Sequence, residues 1–194
     1  PKDKFRQPYI ARQVRVTIPV HLAPLSWASF QLVEGQVEYR DGIYQNGVID
    51  TPFVTVSVDE GITLYDKTTN EAYEDFIQFE DRGDIGNEYI YFQPKGTEPI
   101  YAQLKGYEVL ENNARYAKIL LKHDLTIPVS ADEKLDAEQR GIIEFMKRDA
   151  GRSEELTTIP LETEMTVFVD NPQIRFKTRF TNTAKDHRIR LLVK

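Results

Sequence analysis

The sequence predicts an all-β chain, a large antiparallel β-sandwich interrupted by one helical excursion near residues 131–150. Three observations predict it. Apolar and polar residues alternate in run after run, the period of two that turns one face of a strand toward a core. Short polar turns rich in Asp, Asn and Gly separate those runs, as in sheets built from hairpins. Helical spacing appears in one stretch alone. The chain has 194 residues, enough for one large domain or a domain with an extension. At that size roughly 70% of the unfolded surface can be buried, so no disulfide or metal staple is required.

From the N-terminus, Val14, Val16, Ile18 and Val20 alternate with polar residues and predict a strand. Pro19 assigns it to an edge or a bulge. After Pro24, the run Trp27 to Val33 predicts a second strand, closed by Glu34-Gly35. A polar segment from Glu38 to Asn46, broken by Gly42 and Gly47, is the expected boundary. Residues 1–45 then form an N-terminal β extension or the end of a small β-domain, and residues 46–194 the large sandwich. A meander follows. Phe53, Val54, Val56 and Val58 lead through Asp59-Glu60-Gly61 to Ile62, Leu64 and Tyr65. Asp66-Lys67-Thr68-Thr69-Asn70 is a turn whose side chains bond their own backbone. Strands Tyr101–Leu110 and Tyr116–Leu125 join at Glu111-Asn112-Asn113. Met165, Val167 and Val169, the turn Asp170-Asn171-Pro172, then Ile174 to Phe180 and Ile189 to Val193 complete the set.

The helical excursion opens on Ser130-Ala131-Asp132-Glu133, a capping-box pattern. Leu135, Ile142 and Met146 fall at helical spacing, and Gly151 is the expected stop.

The stretch from Phe79 to Gly96 concentrates the chemistry. An apolar and acidic strand passes into a loop with Gly83 and Gly86, re-enters an aromatic strand from Tyr89 to Phe92, and ends at Pro94-Lys95-Gly96. Glu80, Asp81, Asp84 and Glu88, with Arg82 and two tyrosines, suit a polyhydroxylated ligand; a solvated hairpin connection is the plainer alternative. Glycosidic hydrolysis uses two carboxyl groups about 5–9.5 Å apart, and nothing in the spacing of these four acids requires such a pair. Arg82-Gly83-Asp84 matches an adhesion tripeptide, which the longer pattern around it explains better.

Composition excludes other chemistries. There is no cysteine, hence no disulfide, thiol nucleophile or Cys-ligated zinc, which suits a reducing, cytoplasmic setting. A net charge of −6 with mixed signs argues against nucleic acid as a partner. No run approaches the ~20 apolar residues of a membrane span. His21, His123 and His187 are scattered, without metal-site spacing; His123-Asp124 reads as a partly buried strand pair rather than a ligand pair. No serine sits in a nucleophile elbow. Pro1 opens without an initiator methionine and the final strand runs to Lys194, which suggests an excised piece of a longer protein.

Several of these stretches together resemble a known family. Phe79-Glu80-Asp81-Arg82-Gly83-Asp84 followed by Gly86-Asn87-Glu88-Tyr89 resembles the C-terminal β region of glycoside hydrolase family 38 α-mannosidases. Ile62 to Thr69, Ala150 to Glu155, and Asn182-Thr183-Ala184-Lys185-Asp186-His187-Arg188-Ile189-Arg190 agree with it in order. The resemblance implies a sandwich of the galactose-mutarotase type, attached to an N-terminal catalytic domain. It implies a retaining exo-mannosidase that removes terminal α-linked mannose from oligosaccharides. The catalytic aspartate and the zinc, held by His and Asp, belong to that other domain. This segment then has no catalytic residue and no metal or other cofactor of its own, and hydrolyses nothing by itself. Its partners are a mannose-containing oligosaccharide, its own catalytic domain and, in some arrangements, further copies of itself. As a pocket wall it offers Tyr89 to the sugar, with Asp84 and Asn87 beside it. Arg82 and Asp81 brace the loop through a salt bridge, and Lys185, Asp186 and His187 close a turn. A non-catalytic carbohydrate-binding module and a purely structural sandwich stay open as alternatives.

Overall fold

The structure, a computed structural model, describes residues 16, 18, 20–31, 33–35, 41–59 and 61–194. The chain divides into two compact units, Pro1–Glu38 and Tyr39–Lys194. In the first unit none of the described residues between 16 and 35 lies in a strand. The expected strand Trp27–Val33 is therefore absent among its described residues, and Trp27, Phe30 and Val33 are largely exposed. Of the expected strand at Val14–Val20, Val14 lies outside the described residues, and Val16, Ile18 and Val20 are exposed and outside any strand. Alternation alone does not make a strand: the backbone needs a ladder partner, and the described residues of this unit supply none.

Among its described residues the second unit holds twelve strands in three antiparallel sheets. The first sheet runs in chain order: β1 (Tyr44–Gln45), β2 (Val48–Asp50), β3 (Val54–Ser57), β4 (Thr63–Asp66) and β5 (Glu71–Tyr73). Its turn at Asp66 forms as the sequence predicts, with Oδ1 accepting from the amides of Thr68 and Thr69 and from the Thr68 hydroxyl. The remaining strands are β6 (Ile77–Gly83), β7 (Ile100–Tyr101), β8 (Gln103–Asn112), β9 (Tyr116–Pro128), β10 (Leu156–Phe168), β11 (Ile174–Arg179) and β12 (His187–Val193). They form a four-stranded sheet, β11-β10-β9-β8, and a three-stranded sheet, β12-β6-β7.

The long pair β9–β10 organises the unit. Its strands pair along their whole length, from Tyr116 opposite Phe168 to Pro128 opposite Leu156. Alternate side chains on both are sealed from solvent, and each fully buried Ile or Leu contributes roughly 1.5–3 kcal/mol. One end of the pair (Ala117, Ile119, Leu121, Met165, Val167) packs on Ile49, Val56 and Val58 of the first sheet and its flank. The other end (Leu125, Ile127, Ile159, Leu161) packs on Phe79 and Ile189 of the three-stranded sheet. One sheet thus faces two others, and the architecture is an all-β sandwich. Pro160 hides the first half of β10 from sequence reading. It sits opposite Asp124 of β9, before β11 joins at Glu162; on that open edge a missing amide is tolerated.

The excursion differs from its prediction. Helix α1 covers Lys134–Arg140, followed by a single 3-10 turn at Phe145–Lys147. No capping box forms: Glu133 is the N-cap, Ser130 Oγ donates to the carbonyl of Ala131, and Asp132 Oδ1 accepts from the Lys134 amide. Gly141, not Gly151, ends the helix, and Ile142 turns the chain with a φ of 55°. The helical stripe is therefore cut after Leu135, which is buried, while Ile142 and Met146 are exposed. Among the described residues no helix is long and apolar enough to cross a membrane.

Candidate functional site

Strand β6 leads into the loop 84–99, and here the expected aromatic strand Tyr89–Phe92 is absent. The loop bonds six of its own amides instead. Asp84 Oδ1 accepts from Gly86 at 2.9 Å and Phe92 at 3.1 Å, and Asn87 Oδ1 accepts from Tyr89 and Ile90, both at 2.9 Å. The Ile85 amide donates to Phe92 O and the Asn87 amide to Ile90 O. These internal bonds compete successfully with a ladder, as Asx side chains do in turns. Asp84 and Asn87 thus each commit one oxygen to the backbone. Tyr89 stands at the tip, 87% exposed, so it is not a core-facing strand tyrosine.

Behind the loop lie two buried carboxylates on opposite faces of β6. Glu80 accepts from the Arg82 Nε at 2.9 Å and the Arg190 Nε at 3.0 Å. Arg82 also bonds Gln93 Oε1 at 3.0 Å. Asp81, fully buried, meets His187 Nδ1 at 2.6 Å and Arg152 Nη1 at 2.6 Å. The expected Arg82–Asp81 bridge therefore does not form. Neighbouring side chains on a strand point to opposite faces, and Arg82 shares its face with Glu80. The turn at Lys185, Asp186 and His187 does form: Asp186 takes a φ of 52°, its carbonyl accepts from the Asp84 amide, and its Oδ2 accepts from the Ala131 amide.

The arginine bonds to Glu80 outweigh its desolvation and hold its carboxyl down to about 2. A carboxyl depressed on folding stabilises the native state above its ordinary value of 4.5 and loses that contribution as pH falls toward 2. Partly exposed Arg82 and Arg190 are screened by solvent, so the contribution is of order 1–3 kcal/mol. Glu80→Gln is expected to flatten the fall in stability between about pH 4.5 and pH 2, read by urea titrations across that range; an unchanged slope would contradict it.

A cleft of about 300 Å³ opens beside the loop, lined by Asp84, Asn87, Glu88, Gln139, Asp186 and His187 among others. A larger one of about 990 Å³, with Asp132, Arg140, Arg152 and Lys185 in its wall, shares Leu135, Gln139 and Asp186 with it. Asp84 and Asn87 come together here, whereas Tyr89 lines neither cleft. The carboxylates divide: Glu80 and Asp81 are neutralised by cations in the interior, and Asp84 and Glu88 face the cleft.

Among the described residues no group of three or more His, Asp or Glu could hold a metal ion. The tightest acid–histidine contact, Asp81–His187, already has Arg152 at its second oxygen, an arrangement unsuited to a dication. His123 turns into the core against Phe79, with ring centroids 5.4 Å apart, and burial pushes its pKa down. Asp124 points to the other face, so the two are not a ligand pair.

Residues 1–34 match the family described as glycosyl hydrolases family 38 C-terminal domain 1. A Halalkalibacterium halodurans protein named "Putative mannosylglycerate hydrolase" is 32% identical over 206 residues, covering 99% of this chain and 23% of that protein. The crystal structure of an alpha-mannosidase from Enterococcus faecalis V583 superposes with a TM-score of 0.74 and 34% identity, over 78% of this chain and 18% of that one. The chain is similar to the C-terminal region of glycoside hydrolase family 38. A family 38 protein from Enterococcus faecalis agrees, with a TM-score of 0.75 and 32% identity over 80% of this chain and 19% of that one. The chain thus spans about a quarter or less of the relatives it matches. Three of the four segments that carry the sequence resemblance meet in space. Phe79–Asp84, Ala150–Glu155 and Asn182–Arg190 converge on Asp81 through Arg152 and His187. Sequence reading missed the Glu80–Arg190 pair and the buried Arg148, whose only signal was a basic residue near the end of the excursion.

Proposed function

We propose that this chain is the β-domain of a retaining α-mannosidase that hydrolyses terminal α-linked mannose from oligosaccharides, serving as scaffold and as part of the pocket wall. The observation that carries the reading is Tyr89, held 87% exposed at the tip of a loop whose amides are internally bonded. An exposed aromatic ring carried on such a backbone can pack on a sugar face while its hydroxyl bonds a sugar hydroxyl. Asp84 and Asn87 set the loop with one oxygen each and keep their second polar atom available toward the cleft. The names of two relatives share the mannosyl group, which supports the sugar assignment. Zinc, where the whole enzyme uses it, is held outside the described residues, and this segment contributes no step of bond cleavage. The segment's partners are its own catalytic domain and a mannose-containing oligosaccharide, in a cytoplasmic setting.

Tyr89→Phe in the intact enzyme is expected to lower kcat/KM on an aryl α-mannoside and on mannosylglycerate by about 5- to 150-fold, the equivalent of about 1–3 kcal/mol. An unchanged kcat/KM on both substrates would remove Tyr89 from the site. The 194-residue chain alone is expected to show no hydrolysis; saturable mannose binding by it would favour a carbohydrate-binding module instead.

A further inference from the structure

Six amides of the Tyr89 loop are bonded within the loop, but two of its carbonyls look outside it. Ile85 O and Gly86 O both accept from a single nitrogen, Nη1 of Arg148, at 2.5 and 2.7 Å. Arg148 is buried, at 9% exposure, and its Nε donates to Ile143 O at 3.2 Å within its own segment. The same excursion supplies the floor under the loop. Ile85, 1% exposed, packs with Ala131, Leu135 and Ala150, and the ring of Phe92 meets that of Phe145 edge-on at 5.6 Å. Among the described residues no other side chain bonds these two carbonyls.

We propose that Arg148 is a positioning residue for Tyr89, clamping the loop three residues upstream of the tyrosine onto the helical excursion. This rests on the reading of Tyr89 as pocket wall. The chemistry suits arginine: Nη1 donates to both loop carbonyls while Nε of the same rigid plane donates to Ile143 O. A lysine has a single nitrogen and cannot keep both the Nη1 bonds to the loop and the separate Nε bond to Ile143 O. The excursion buries its own small cluster, apart from the two larger cores of the sandwich. Through Arg148 it fixes the approach of one side chain to a sugar.

A double-mutant cycle in the intact enzyme tests this. Arg148→Met is expected to lower kcat/KM on an aryl α-mannoside about 10- to 100-fold, as small misplacements of positioned groups do. Tyr89→Phe, costly in the wild-type background, is then expected to change kcat/KM less than about twofold, because a displaced tyrosine has little left to lose. Arg148→Lys falls between wild type and Met, and it carries the cycle should the methionine variant not fold. Lys147→Ala, which removes an exposed charge from the same excursion, leaves activity unchanged. A Tyr89→Phe penalty that is full-sized in the Arg148→Met and Arg148→Lys backgrounds overturns the positioning role while leaving the wall reading intact. A silent Tyr89→Phe in the wild type overturns the wall reading, and the positioning role with it.

Discussion

Asp81→Ala is expected to destabilise the sandwich by about 3–5 kcal/mol, the cost of stranding a buried counter-charge. Asp81 is wholly enclosed, with His187 at one oxygen and Arg152 at the other. Arg152 has no alternative: its side chain is 8% exposed, and among the described residues none of its guanidinium nitrogens has a directed hydrogen bond. Its contact with Asp81 is electrostatic, close in distance but off the bonding direction. Removing the carboxylate leaves a cation that neither water nor protein compensates. Domains of this kind are stable by only about 5–15 kcal/mol, so the variant approaches the limit of folding. Asp81→Asn, which keeps the shape and loses the charge, is expected to lie between, and Arg152→Met added to Asp81→Ala to restore part of the loss. Urea unfolding of the chain measures all three; an Asp81→Ala variant within about 1 kcal/mol of wild type would show that the cluster is not electrostatically bound.

That cluster also explains what could be read in the sequence and what could not. The strands β3, β4, β9, β11 and β12 were legible because alternation reports a buried face directly, as with Ala117, Ile119 and Leu121. The first half of β10 was not, because Pro160 imitates a strand end and is tolerated only on an edge that topology creates. The cap of α1 failed for a related reason. Ser130 is engaged with the link rather than the helix, its Oγ donating to Ala131 O and its carbonyl accepting from the Ser153 amide, while Asp132 divides its oxygens between the Lys134 and Gly151 amides. Local patterns are overruled where distant segments compete for the same groups. The motifs around Asp81, Arg152 and His187 were visible as strings, but their common purpose was not, since 106 residues separate Asp81 from its histidine. Tyr89 was legible as a residue of interest, yet its exposure follows from Asp84 and Asn87 replacing a ladder with Asx bonds, a choice that alternation does not encode.

The glycine at the centre of that loop gives the second large effect. A Cβ at Gly86 would lie 1.8 Å from Ile90 O and 2.9 Å from Ile90 C, both backbone atoms, and 3.0 Å from Asp84 Oδ1. No rotamer change relieves a clash with main chain, so Gly86→Ala must open the loop, breaking the Asn87 N–H to Ile90 O bond and the Asx bonds to Tyr89 and Ile90. With the tyrosine displaced by an ångström or so, kcat/KM of the intact enzyme is expected to fall about 100-fold, while the sandwich, whose cores lie elsewhere, loses about 1–3 kcal/mol. Gly96 separates the two consequences. Its φ of 68° makes alanine costly by roughly 1–2 kcal/mol, but nothing lies within 4 Å of its added carbon. Gly96→Ala is therefore expected to match Gly86→Ala in unfolding midpoint and wild type in kcat/KM. Equal activity losses in the two variants would mean that loop stability in general, rather than the placement of Tyr89, governs the site. A loss confined to Gly86→Ala ties function to the close approach that only a glycine permits there.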